Sequence, residues 1–247
     1  MRELELCTPF ESSFGRFNFL VKFYPEITFR TSTGEKVTGF GECSPLAAPW
    51  YNSECHRSTS ITLMYISSLI TNKSMPAGCE FMPDWESDKV AAKIPYTDIF
   101  SFISSYGKIK GNNIAKAGIE GAYWDAIAKL NQKSVASLFG GNKLIVETGT
   151  SVGLEETPEI PLRKVEKAVE VLKAARIKIK VKPGRDLSYL EAIRKKYPEI
   201  KLMADANSAY NLFDKKHLDI LKEFDNYNLM MIEQPGNNED IYDHSVK

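Results

Sequence analysis

Beyond Gly140-Gly141 the chain alternates short apolar runs with amphipathic stretches, and this alternation constrains its fold more than any other feature. The runs occupy residues 145–152, 177–181, 202–204 and 229–232. Of the stretches between them, the first places Val165, Ala168, Val169 and Leu172 on one helical face. The second starts at Ser188, with Glu191 three residues later, the spacing of a capping box. The third runs from Asp214 with Leu218, Leu221 and Phe224 turned inward. Strand, helix, strand at intervals of roughly 25–30 residues is the pattern of successive βαβ units around a parallel sheet.

The first half reads differently, as α+β. Phe17, Phe19, Val21, Phe23, Ile27 and Phe29 make residues 17–30 strand-forming. The turn cluster at 31–35 returns the chain into a hairpin partner over 36–42. Residues 44–54 hold Pro45, Pro49, Trp50 and Tyr51 and read as a loop. A helix follows over 56–71, with Ile61, Met64, Tyr65 and Leu69 on its expected apolar face. A stretch containing Pro and Gly at 75–85 ends that pattern. The clearest helix covers 113–131, with Ile114, Ala117, Ala122, Ile127 and Leu130 as candidate core positions.

Composition narrows the function classes. The 247 residues carry 32 Lys plus Arg against 32 Asp plus Glu, so no net field favours nucleic acid or an anionic membrane. No run approaches the ~18 apolar residues of a membrane helix, and Met1 opens on a charged segment without an apolar h-region. A cytoplasmic protein is expected, with Cys7, Cys43, Cys55 and Cys79 as reduced thiols, because none forms a C-x-x-C pair. His56, His217 and His244 show no ligand spacing and are read as surface or capping residues.

The chemistry concentrates on three strand ends. Along 176–182 the alternation of a strand puts Lys178, Lys180 and Lys182 on one face and Ile177, Ile179 and Val181 on the other. A solvated lysine face would explain this in an isolated strand. A parallel sheet is covered on both faces, however, and covered lysines need anions. Asp205 ends the next apolar run and Glu233 the one after, at the carboxyl ends where a βα barrel carries its active site. Either acid alone could be a loop residue or a helix cap. Together they offer Mg²⁺ two hard oxygen ligands with room for water and substrate. A lysine beside such a cation and a second lysine is expected to have a lowered pKa and to act as a base.

These motifs resemble a known family. Lys178-Ile-Lys180 resembles the K-x-K motif of the muconate-lactonizing branch of the enolase superfamily, Asp205-Ala-Asn207-Ser-Ala-Tyr210 its D-x-N metal strand, and Glu233-Gln-Pro235 its next metal strand. Gly39-Phe-Gly-Glu-Cys-Ser44, Pro49-Trp-Tyr-Asn-Ser-Glu54, Glu120, Trp124-Asp125 and Thr148-Gly-Thr-Ser-Val-Gly153 are similar to o-succinylbenzoate synthases that also racemise N-succinylamino acids. The fold so implied is α/β: an α+β capping domain over 1–115, a helical connection over 116–140, and about four βα units of a (β/α)₈ barrel over 141–247. The resemblance implies Lys180 as the base, Lys178 as its electrostatic neighbour, Asp205 and Glu233 as ligands of Mg²⁺ (or Mn²⁺), and Asn207 and Ser151 as substrate-site residues. It further implies capping loops at 9–16 and 44–54, with Phe10, Phe14 and Trp50 giving apolar contact. The substrate would be a small carboxylate, with a homo-oligomer compatible for the intact enzyme. A dipeptide epimerase or muconate cycloisomerase uses the same scaffold, and a non-catalytic fragment that pairs with a complementary chain is the reading from another class.

The pattern also departs from that family. A (β/α)₈ barrel takes ~250 residues by itself, whereas only about a hundred follow Gly141. The family's third metal-ligand aspartate and its sixth-strand lysine have no counterpart in this sequence. The 247-residue chain alone is therefore expected to be inactive or marginally folded.

Overall fold

The structure, a computed structural model, describes residues 1–31, 33–71, 99–237, 239 and 242. It divides into two compact units: Met1–Glu5 with Phe19–Lys143, and Leu6–Asn18 with Leu144–Lys247. The chain opens with a hairpin of β1 (Arg2–Ser12) and β2 (Gly15–Lys22), so strand structure runs through most of the expected loop at 9–16 and leaves only Ser13-Phe14 as the link.

In the first unit, β3 (Glu26–Arg30) pairs antiparallel with β4 (Lys36–Phe40), the expected hairpin. The helices are α1 (His56–Thr71), α2 (Ile99–Tyr106), α3 (Asn113–Leu130) and α4 (Val135–Leu138). The stretch at 75–85 lies outside the described residues. Ile66, Phe102, Tyr106, Ile119, Ala122 and Tyr123 form the centre of the core. Small residues allow β4 to approach α3 unusually closely: a Cβ on Gly39 would stand 2.1 Å from the Ala122 carbonyl oxygen. The first turn of α3 is capped from a distance. Glu54 Oε1 accepts from the Asn113 N–H at 2.7 Å and Oε2 from the Ile114 N–H at 2.9 Å.

Both helices seen in the sequence exist, but their faces differ from expectation. In α1, Ile61, Tyr65 and Leu69 are exposed, whereas Thr59, Ser60, Thr62, Leu63 and Ile66 are buried. The buried side of this helix instead sets Leu63, Ile66 and Ile70 into the core, with the small Thr59, Ser60 and Thr62 beside them. On α3, Ala117 and Leu130 are exposed and Ala115, Gly118, Ala122 and Ala126 face the core.

The second unit is built on a four-stranded parallel sheet in the order β5 (Gly149–Val152), β6 (Arg176–Lys180), β7 (Lys201–Asp205), β8 (Ile232–Glu233). Between the strands run α5 (Glu159–Glu166), continued by a π-helical turn over Lys167–Val171, then α6 (Leu187–Lys196) and α7 (Lys215–Glu223). This is the partial α/β barrel pattern expected from the repeat. One sheet face carries Ile177, Ile179, Leu202 and Ala204 into a core with Val165, Ala168, Leu190, Ile193 and Phe224. Leu172 stays 61% exposed, because the π turn has displaced it from the face that Val165 begins. α6 starts one residue before Ser188: Asp186 is its N-cap, accepting from the Leu187 N–H at 2.8 Å, in place of the expected capping box. Asp186 also accepts from the buried Tyr210 hydroxyl at 2.9 Å. α7 is capped by Asp214 through the Lys216 N–H, as its sequence indicates.

Candidate active site

Register places the chemistry. Lys180 pairs with Asp205 across β6 and β7, and Asp205 pairs with Glu233 across β7 and β8. Directly paired residues of parallel strands share a face, so all three side chains project from the same side at the carboxyl end of the sheet. Lys178 lies two residues earlier on β6 and therefore on that face too. Its Cα partners are Ser151 on β5 and Met203 on β7.

The side chains form one ionic array. Lys178 Nζ is 2.9 Å from Glu233 Oε2 and 3.1 Å from Asp205 Oδ2. Lys180 Nζ is 3.0 Å from the same Asp205 Oδ2 and also donates to Asn207 Oδ1. The other Asp205 oxygen accepts the Asn207 N–H at 3.1 Å. Two ammonium groups thus share one carboxylate oxygen that is almost fully buried. Burial pushes the Asp205 carboxyl up, but hydrogen bonds and charge from Lys180 and Lys178 outweigh it, and the net direction is down. At Lys178 burial favours the neutral amine, yet Glu233 and Asp205 reverse this and the net shift is upward. Carboxylates face Lys178 here, so its shift runs opposite to the one a neighbouring cation would impose.

The tip of the β1–β2 hairpin belongs to the same unit. The Phe10 ring lies under Lys180 Nζ, 5.4 Å from the ammonium. Ser13 donates to the Asn207 carbonyl at 2.6 Å, and Asn207 Nδ2 reaches Gln234 Oε1 at 3.4 Å. Lys178, Lys180, Asp205, Asn207 and Glu233 are therefore gathered at one place, with Ser151 on an adjoining strand of the same face. Phe14 packs its ring on Phe17, at 5.9 Å between centroids. Trp50 lies in the first unit and is 59% exposed. Ser13 lies within the 9–16 stretch expected as a capping loop, though not itself singled out, and Gln234 stands beside Glu233 in a motif already singled out.

Among the described residues no three His, Cys, Asp or Glu side chains come together as a metal cage. The donor set is two carboxylates converging on a single cationic group, the Lys178 ammonium. Mg²⁺ keeps several waters and commonly takes one or two protein carboxylates, so Asp205 and Glu233 fit it as ligands.

Comparison with known proteins gives the chain's likenesses. Residues 162–246 match the enolase C-terminal domain-like family. The o-succinylbenzoate synthase of Listeria innocua is 33% identical over 98% of this chain and 58% of its own length. A solved enolase-superfamily member from Listeria innocua superposes with a TM-score of 0.77 at 32% identity, covering 99% of this chain and 58% of that one. Over nearly its whole length the chain is similar to members of the enolase superfamily. An N-succinylamino acid racemase from Thermus thermophilus is 42% identical over 55% of the chain and 36% of its own length. The chain thus spans a little under three-fifths of the Listeria relatives it matches. No helix among its described residues is long and apolar enough to cross a membrane.

Proposed function

We propose that this chain carries the proton-abstraction machinery of an o-succinylbenzoate synthase-type enzyme acting on a small carboxylate substrate. One observation carries the reading: Lys180, Asp205 and Glu233 sit side by side on consecutive strand ends, with Lys178 bridging the two acids. The 33% identity to a synthase over nearly the whole chain supports the same class. In this reading residues 1–115 are the capping portion, 116–140 the connection and 141–247 the barrel portion.

Lys180 removes the proton α to the substrate carboxylate. Its amine is held by Asp205 and Asn207, and the Phe10 ring packs against it and limits access of water. Lys178, whose pKa is raised, stays charged and offsets the negative charge that develops on the substrate. Asp205 and Glu233 would hold Mg²⁺, or Mn²⁺, which when bound would grip the substrate carboxylate and neutralise charge on it. Superfamily chemistry of this kind is known to pair a Lys or His base with one or two Mg²⁺ ions. Loss of a β-hydroxyl after proton removal gives a dehydratase, the route to o-succinylbenzoate in menaquinone synthesis. Return of a proton to the opposite face gives a racemase.

The test is deuterium incorporation. The intact enzyme is incubated with Mg²⁺ in D₂O and offered N-succinyl amino acids or, in parallel, dipeptides, beside the 247-residue chain alone, for which no exchange is expected. Deuterium should enter the α position of the succinyl compounds and be lost with Lys180→Ala, a drop of roughly 10²–10⁴-fold for a general base. Exchange undiminished in that variant overturns the assignment, and exchange confined to dipeptides moves it to an epimerase.

A further inference from the structure

Residue 13 touches the site without belonging to any of its strands. The Ser13 hydroxyl meets the Asn207 carbonyl across 194 positions of sequence. The strand leading to it is tied down twice more within the same unit. The Leu154 N–H donates to the Glu11 carbonyl at 3.4 Å, and Arg185 Nη1 stands 3.4 Å from Glu11 Oε1. The far side of the 207–208 peptide is held as well, since the Ser208 N–H donates to the Gln234 carbonyl at 2.7 Å. This one peptide plane is therefore gripped at its oxygen by Ser13 and at its nitrogen by Gln234.

The grip has something to resist. Asn207 and Ser208 both have positive φ, 43° and 63°, a consecutive left-handed pair that residues other than glycine seldom adopt without outside support. What depends on the pair is the amine of Lys180. Asn207 Oδ1 accepts from Lys180 Nζ while the Asn207 N–H donates to Asp205 Oδ1. The Asn207 α-carbon carries both this peptide and the side-chain amide that holds the lysine, so a backbone shift at 207 moves that amide.

We propose that Ser13 is a positioning residue for the Lys180 amine, acting through the Asn207–Ser208 peptide. Its value to catalysis rests on the reading of Lys180 as the base; its effect on the lysine can be seen without turnover. A serine that merely fastened the hairpin would matter equally to every tie of that hairpin, including the Leu154 amide.

Amide hydrogen exchange and the Lys180 Cε resonance would be followed by NMR in the full chain and in its Ser13→Ala and Ser13→Thr variants. In Ser13→Ala the Ser208 amide should exchange roughly three- to tenfold faster, the scale of one lost hydrogen bond, while the Leu154 and Ala206 amides keep their rates. The Lys180 Cε signal should move, and Ser13→Thr should restore both. An unchanged Ser208 amide, an unmoved Lys180 signal, or equal acceleration at Leu154 and Ala206 each overturns the proposal. Where α-proton exchange is measurable, Ser13→Ala should lower kcat by a similar factor at constant KM, and an undiminished kcat also overturns it. Where the 247-residue chain alone shows no α-proton exchange, as expected of it, the two NMR readings decide the role of Ser13, and the base assignment is decided separately on the intact enzyme.

Discussion

Lys178 reaches over the intervening strand β7 to place its Nζ 2.9 Å from Glu233 Oε2, while holding Asp205 at 3.1 Å on the way. One ammonium thus pairs with both acids proposed as metal ligands, with Lys180 as a second partner of Asp205, and a divalent ion entering between the acids has to share or displace Lys178.

Replacing this lysine should therefore separate affinity from activity. Lys178→Met is expected to bind Mg²⁺ about tenfold more tightly than wild type, the equivalent of one charge-assisted hydrogen bond no longer in competition. The same variant should lose α-proton exchange. Calorimetric titration with Mg²⁺ measures the first effect, and weaker binding would mean that the ammonium does not compete with the ion.

The contact between β4 and α3 gives two glycines of one helix opposite signs. A Cβ on Gly118 would meet Cys43 Sγ at 2.1 Å, whereas a Cβ on Gly121 finds nothing closer than 3.8 Å. Gly118→Ala should destabilise by roughly 2–3 kcal/mol through overpacking. Gly121→Ala should stabilise by about 0.5–1 kcal/mol through helix propensity. Urea unfolding of the two variants side by side tests the claim, and equal effects would refute the close approach.

Cys43 reports on the same packing. Burial, with smaller contributions from the charges of Glu54 and Glu42, pushes its thiol from 9.0 up to about 12. A group with a raised folded pKa adds stability below its unfolded value and loses it as pH climbs toward the folded one. Unfolding free energy should therefore fall between 9.0 and about 12, and Cys43→Ala should flatten part of that limb. At neutral pH the thiol should resist alkylation in the folded chain while exposed Cys7 reacts. Rapid labelling of native Cys43 would contradict this.

Tyr210 and Asp186 form a buried pair joining the segment after β7 to the start of α6. Tyr210→Phe removes the hydroxyl and leaves a buried carboxylate oxygen without that donor. The expected loss is about 1.5–3 kcal/mol, seen as a lower urea midpoint with unchanged slope. A neutral result would show that solvent replaces the tyrosine.

Much of this molecule is written locally. The Lys178-Ile-Lys180 alternation, the acids closing the next two apolar runs and the helix running from Asp214 all rest on spacings of a few residues, and the structure has each of them where local rules put it. Features that join distant segments were not legible. The resemblance brings the 9–16 stretch toward the site without singling out Ser13 or its bond to residue 207, and nothing near Asn113 announces that Glu54 will cap its helix. The solvent side of α1 misled for a related reason. The helix carries two apolar stripes, and it is Leu63, Ile66 and Ile70, with Thr59, Ser60 and Thr62, that turn inward while Ile61, Tyr65 and Leu69 face out, a choice set by its neighbours. Asp186 displaced the expected Ser188 cap because Tyr210, brought from 24 residues away, fixes its side chain.

Side-by-side pairing of residues 180, 205 and 233 has a bearing on how such a protein tolerates insertions and deletions. Extra residues in α6 or its flanking turns leave the three groups where they are, because each strand re-zeroes against its neighbour through the backbone. One residue gained inside β7 would invert its alternation and drive the Asp205 carboxylate into the oily layer beneath. Connections are thus free to drift in length over generations, while the interiors of these short strands are held to a fixed count.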